Sequence, residues 1–112
     1  MASPDPLISY VDGFRHGTVA AVDWAEDVSF HGPLLPAPIE GRSAVIAFLE
    51  RIVTSIETVE LRRVSRADDG GCLELAFRFA GVAEATDEVH ALRVRDGRIE
   101  QVTLYYDPRP LL

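Results

Sequence analysis

The sequence predicts an α+β domain: helices first, then an antiparallel meander whose curved sheet wraps around the helical part. Three observations carry this. Apolar residues recur at helical spacing up to Phe14 and again between Val45 and Ile52. From Val59 onward the period switches to two, with clean alternation through Leu73, Leu75, Phe77 and Phe79. Two tight-turn signals, Asp68-Asp69-Gly70-Gly71 and Asp96-Gly97, join the alternating segments as hairpins.

Taken in order, Asp5-Pro6 is a helix start, with a cap residue followed by proline at the first helical position. Leu7, Tyr10, Val11 and Phe14 share one face until Gly17. Thr18 is expected to cap a second short helix, with Val19, Val22 and Trp24 inward. Val28 and Phe30 alternate with Ser29 and His31 as a half-buried strand that Gly32-Pro33 ends. Pro33, Pro36 and Pro38 hold the chain extended across to Gly41. Ser43 is expected to cap a helix running to Ile56, with Val45, Ile46, Phe48, Leu49 and Ile52 as its apolar stripe.

A strand of about ten residues follows, running to Arg66. The next carries the alternation from Leu73 to Phe79, and residues 81–86 read as either loop or strand. Val89–Arg95 is a strand with His90, Leu92 and Val94 on one face, and Arg98–Asp107 is the last, stopped by Pro108 and Pro110.

Bulk properties bound the function. At 112 residues the chain forms a single domain over residues 1–112. The net charge is −7, and no basic run exceeds Arg62-Arg63. Nucleic acid and anionic membrane surfaces are therefore not expected partners. All 11 basic residues are arginine, a usage that points to a high-GC bacterial genome. Without lysine, Schiff-base chemistry and covalent pyridoxal phosphate are excluded, and no cofactor is expected. A single cysteine, Cys72, excludes an internal disulfide. His16, His31 and His90 lack close spacing, so no metal site is expected. No signal peptide or membrane span is evident, which makes a cytoplasmic location the expectation.

The succession of helix pair, AEDVSFHGP, EGRSAVIAFL, the DDGG and RDGRI hairpins and the terminal LYYDP resembles the nuclear transport factor 2-like superfamily, in its SnoaL-like and ketosteroid-isomerase-like branches. The resemblance implies a cone-shaped α+β barrel enclosing a small-molecule pocket, and homodimers are common in such proteins. On that reading the outer sheet face, with Gln101, Thr103, Arg93 and Arg95, is mostly polar, so a homodimer interface there would be a wet one.

Pattern and resemblance together nominate the site. The expected pocket lining is Phe14, Trp24, Phe30, Phe48, Phe77, Phe79, Leu92, Val102, Leu104 and Tyr106. His90, a titratable imidazole alternating with Leu92 and Val94, is the candidate acid or base. It occupies the position where the resemblance places an oxyanion-hole acid. Tyr10 is the second candidate, matching a first-helix tyrosine of that oxyanion hole, and Tyr106 is a further hydroxyl donor. Glu84, Asp87 and Glu88 read as a solvated acidic cluster.

Two departures matter. The aspartate base of steroid isomerases is replaced by Gly32, while alternation turns His31 to the other face. The inward carboxylate of limonene-epoxide hydrolases is replaced by Leu104, and Arg78 is expected to face solvent. Both activities are thus disfavoured. The expectation is a pocket for a hydrophobic, carbonyl-bearing small molecule, with isomerase- or cyclase-type acid–base chemistry if active. The alternative is a non-catalytic ligand-binding or homodimeric interaction module of the same fold.

Overall fold

The computed structural model describes residues 5–112. Helix α1 (Pro6–His16) starts where Asp5 accepts a hydrogen bond from the Leu7 amide. It ends at Gly17 in the left-handed conformation that glycine adopts without strain. A single 3-10 turn, Val19–Ala21, replaces the expected second helix, and the Thr18 side chain does not cap it. Strand β1 (Trp24–His31) begins four residues before Val28, so Trp24 belongs to the sheet.

A two-residue strand, β2 (Ile39–Glu40), hairpins back on β1, and α2 (Arg42–Val53) follows. Gly41, not Ser43, stands at the cap, and no side chain caps the helix there. The Arg42 guanidinium instead anchors this end by donating to the Trp24 carbonyl through Nε and Nη2, at 3.1 and 2.6 Å. The helix stops at Val53, and Ile56 opens β3 (Ile56–Ala67). Then come β4 (Gly70–Phe79), β5 (Thr86–Arg95) and β6 (Arg98–Tyr105), with a closing 3-10 turn at Arg109–Leu111. β5 therefore starts at Thr86, three residues earlier than alternation from Val89 suggests, and β6 ends before Asp107.

The six strands form one sheet in the order β2-β1-β6-β5-β4-β3. Neighbours are antiparallel except β1 and β6, which run parallel and join the first long strand to the last. Register shifts interrupt the β3–β4, β5–β6 and β1–β6 ladders. Such bulges bend strands and sharpen their twist, which lets the sheet curve around the helices. The core lies in that concavity. Leu7, Tyr10, Val11 and Phe14 of α1 and Val45 and Leu49 of α2 pack on Val28, Phe30, Leu73, Leu75, Phe77, Ile99 and Val102. Among the described residues no helix is long and apolar enough to cross a membrane.

Candidate functional site

The concave face does not close completely. Between α2, the open ends of β4–β6 and the 33–38 loop lies a cavity of about 540 Å³. That is within the usual range for small-molecule pockets, about 300–1,000 Å³. Its walls are aromatic and aliphatic: Phe14 from α1, Phe30 from β1, Phe48, Leu49 and Ile52 from α2, Phe77 and Phe79 from β4, and Leu104 from β6. Tyr106, just past β6, also lines it. Leu34, Leu35, Val82 and Leu111 add to the lining from two loops and the closing 3-10 turn.

Two polar side chains from β5 meet the cavity, Glu88 and His90. Both are buried, at 6% and 1% exposure. Glu88 is therefore not part of the solvated acidic cluster that its acidic neighbours suggest. Glu84 and Asp87 are exposed, but because β5 begins at Thr86, Glu88 shares the inward parity of His90. The same alternation that turns His90 inward points to Glu88, two residues earlier, once the strand is extended.

Tyr10, His90 and Glu88 form a hydrogen-bonded row. The Tyr10 hydroxyl lies 2.7 Å from His90 Nδ1, and His90 Nε2 lies 2.7 Å from Glu88 Oε1. Proton placement follows from partners. Tyr10 is fully buried, and His90 Nδ1 is the hydrogen-bond partner of its hydroxyl, so the hydroxyl must donate to Nδ1. The imidazole then carries its proton on Nε2, which it donates to Oε1 of Glu88. Burial, and secondarily the Glu88 charge, pushes the Tyr10 phenol well above its ordinary value, which keeps this donor protonated. The ring of His90 is fixed as well, stacked on Phe77 at 5.4 Å and edge-on to Phe14 at 6.1 Å.

Among the described residues the second Glu88 oxygen, Oε2, has no hydrogen-bond partner, and the residue lines the cavity. Tyr106 is half-buried beside it. Burial first, and the Glu88 charge second, raise its phenol too, so this lining residue keeps its hydroxyl proton. A carboxylate acceptor and a phenol donor thus converge on one apolar space.

Other nominated residues fall elsewhere. Tyr10 does not line the cavity; it stands behind His90 as its support. Trp24, Leu92 and Val102 are likewise not lining residues but packed core. Trp24 donates its Nε1 proton to the Val19 carbonyl at 2.8 Å, under α1. Leu92 and Val102 are cross-strand partners on β5 and β6, packed in the core cluster. His31 hydrogen-bonds Ser29 on the face away from Phe30. Gly32 lines the cavity without contributing a polar group. Arg78 is exposed and donates to the Ala83 carbonyl. Among the described residues, no three His, Cys, Asp or Glu side chains come together in a set that could hold a metal ion.

Solved structures similar to this chain share its fold at low identity. A protein from Kribbella flavida matches at 20% identity with a TM-score of 0.83, over 98% of this chain and 90% of its own. An NTF2-like protein of unknown function from Cytophaga hutchinsonii matches at 17% identity and a TM-score of 0.82, over 99% and 98%. A protein with a ketosteroid-isomerase-like fold from Catenulispora acidiphila, solved in complex with trimethylamine, matches at 20% and 0.78, over 95% and 88%. No curated protein matches the chain. The SnoaL-like domain family matches residues 7–102, nearly the whole described chain. This chain has the fold of NTF2-like proteins and belongs to the SnoaL-like domain family.

Proposed function

We propose that the protein binds a hydrophobic carbonyl compound in the cavity and moves a proton on it, as isomerases and cyclases do. The observation that carries this is the buried Glu88 carboxylate, which His90 holds through Oε1 and which lines a largely apolar cavity. Oε2 takes a proton from the carbon next to the carbonyl. The carbonyl oxygen, gaining negative charge, accepts a hydrogen bond from Tyr106, whose raised phenol remains protonated. Glu88 then returns the proton to the same or a conjugated carbon. His90 and Tyr10 act as positioning residues that hold the carboxylate in one orientation. The base thus stands on β5, not at the strand end that Gly32 occupies.

The test is deuterium exchange into tetralone in heavy water, followed by NMR, with wild type, Glu88→Gln and Tyr106→Phe. Glutamine keeps an acceptor for His90 but cannot take a proton. Exchange above the buffer rate that falls by about 10²–10⁴-fold in Glu88→Gln is the expected result. Equal exchange in wild type and Glu88→Gln refutes the assignment.

A second reading is favoured by the trimethylamine bound to the Catenulispora acidiphila protein. A buried carboxylate among Phe14, Phe77, Phe79 and Tyr106 also suits a small ammonium ion, through charge and cation–π attraction. Calorimetric titration with trimethylamine separates the two. Binding that Glu88→Gln abolishes, without any tetralone exchange in wild type, favours the ammonium reading.

A further inference from the structure

The cavity has a polarity along its depth. Glu88 and His90 are buried, whereas Arg51, in the last turn of α2, lines the cavity and is itself exposed. It is the one cationic side chain among the lining residues. Its guanidinium is also unengaged. Arg15, Arg62, Arg63, Arg66, Arg95 and Arg109 each face a carboxylate, and Arg42 and Arg78 are held by backbone carbonyls. Among the described residues Arg51 has neither kind of partner, and of those left so it alone borders the cavity. In a chain of net charge −7, an unpaired guanidinium at an apolar opening is a local reversal of sign.

We infer that Arg51 is a specificity residue that selects substrates ending in an oxyanion, a carboxylate above all. The inference rests on the cavity being the substrate site proposed above. The substrate is then an amphipathic acid. Its hydrophobic body lies against Phe48, Phe77 and Phe79, its reacting carbonyl reaches Glu88, and its carboxylate stays at the rim on Arg51. The chemistry of each end fits its place. Guanidinium pairs with a carboxylate through two parallel hydrogen bonds, and at an exposed rim that pair forms without full desolvation of either charge. The reverse orientation would set the substrate's anion against Glu88 in a buried apolar space, which like-charge repulsion and lost hydration both oppose. A cation in the last turn also complements the dipole of α2, which would hold Arg51 without any ligand. Ligand selectivity, unlike stability, separates the two roles.

The experiment is calorimetric titration of naphthylacetate, its methyl ester and naphthyl phosphate into wild type, Arg51→Gln and Arg51→Lys. Melting temperatures verify that the exposed substitutions leave the fold intact. Wild type is expected to bind naphthylacetate about ten- to a hundredfold tighter than the ester, the value of one charge-assisted contact. In Arg51→Gln the acid and ester affinities become equal, with the ester unchanged; Arg51→Lys keeps part of the preference. Tighter binding of the phosphate than the carboxylate assigns the rim to phosphate esters and overturns the carboxylate preference. An acid-to-ester ratio that Arg51→Gln leaves unchanged, or no saturable binding by any probe, overturns the inference. Tetralone carries no anion, so its Glu88-dependent exchange is scored apart. Exchange that persists while the acid-to-ester ratio is flat removes Arg51 alone, and loss of exchange removes the proton-transfer reading alone.

Discussion

The buried Tyr10 hydroxyl donates to Nδ1 of His90 at 2.7 Å, across 80 residues of chain, and thereby a helix residue selects the tautomer of a strand histidine. That tautomer aims its remaining proton at Oε1 of Glu88, a residue of the cavity wall. Removing the donor is therefore a test of the whole row.

Tyr10→Phe should leave Nδ1 of His90 buried without its donor, at a cost of about 1–3 kcal/mol in urea unfolding at neutral pH. The pH dependence has a definite sign. The Tyr10 phenol is raised in the fold, by burial first and by Glu88 second. Its contribution is thus complete below the usual tyrosine value of about 10, and it is lost as pH climbs from there toward the folded value. Wild type should lose stability above that point more steeply than Tyr10→Phe. The slope left in the variant comes partly from Tyr106, whose phenol is also raised. Parallel curves would contradict the assignment.

Two of the hairpin glycines, Gly70 and Gly97, differ in cost. Gly70 has φ +143°, and a Cβ there would run into the backbone carbonyl of Leu92. Gly97 has φ +76° with open space around it. Gly97→Ala should cost about 1–2 kcal/mol, the price of a left-handed alanine. Gly70→Ala should cost more than that and should move β4 off β5, visible as loss of amide protection around Leu92.

Gly32→Ala is expected to be harmless to folding. A Cβ at this position meets Leu104 Cβ at 3.7 Å and Leu35 Cδ1 at 3.9 Å, ordinary contact distances. Restricting the unfolded chain then gives a neutral to slightly positive change, up to about 1 kcal/mol, in chemical denaturation. Gly32→Leu projects a larger group into the cavity and should abolish naphthylacetate binding while the protein still melts cooperatively.

Arg42→Ala strips two hydrogen bonds from the Trp24 carbonyl. The start of α2 then loses its side-chain tether to β1 and keeps only the backbone bond from the Gly41 amide to the Val28 carbonyl. A loss of about 1–2 kcal/mol is expected, with faster amide exchange in the first turn of α2. Arg42→Lys should restore only part, because an ammonium is a point donor without the planar fork.

Much of this was legible in the chain. Alternation through Leu73, Leu75, Phe77 and Phe79 located β4, and His90 was placed inward by the same rule. What escaped has physical causes. Glu88 was read as solvated because a carboxylate among acidic neighbours usually is; only the early start of β5 gives it an inward parity. Ser43 is a good cap by type, yet backbone geometry puts Gly41 at that position, and the tether comes from a guanidinium on the next residue. Trp24, Leu92 and Val102 do face the helices, but period-2 patterning names a face and not a position along it. These three pack into the core cluster, while the cavity borders other residues of the same face. The Tyr10–His90 contact joins distant segments, and no local pattern encodes it.

The parallel join of β1 to β6 has a consequence for how the protein is made. Most of β1 has no lasting neighbour until β6 is available, since β2 covers only Ser29 and Phe30. As a ribosome delivers the chain from its N-terminus, the helices and the β3–β4 hairpin can assemble early, while β1 waits with an open edge. Nascent protein is thus most exposed to aggregation just before residues 98–105 emerge, and it is docking of that final strand that both seals the edge and brings Leu104 to the cavity wall.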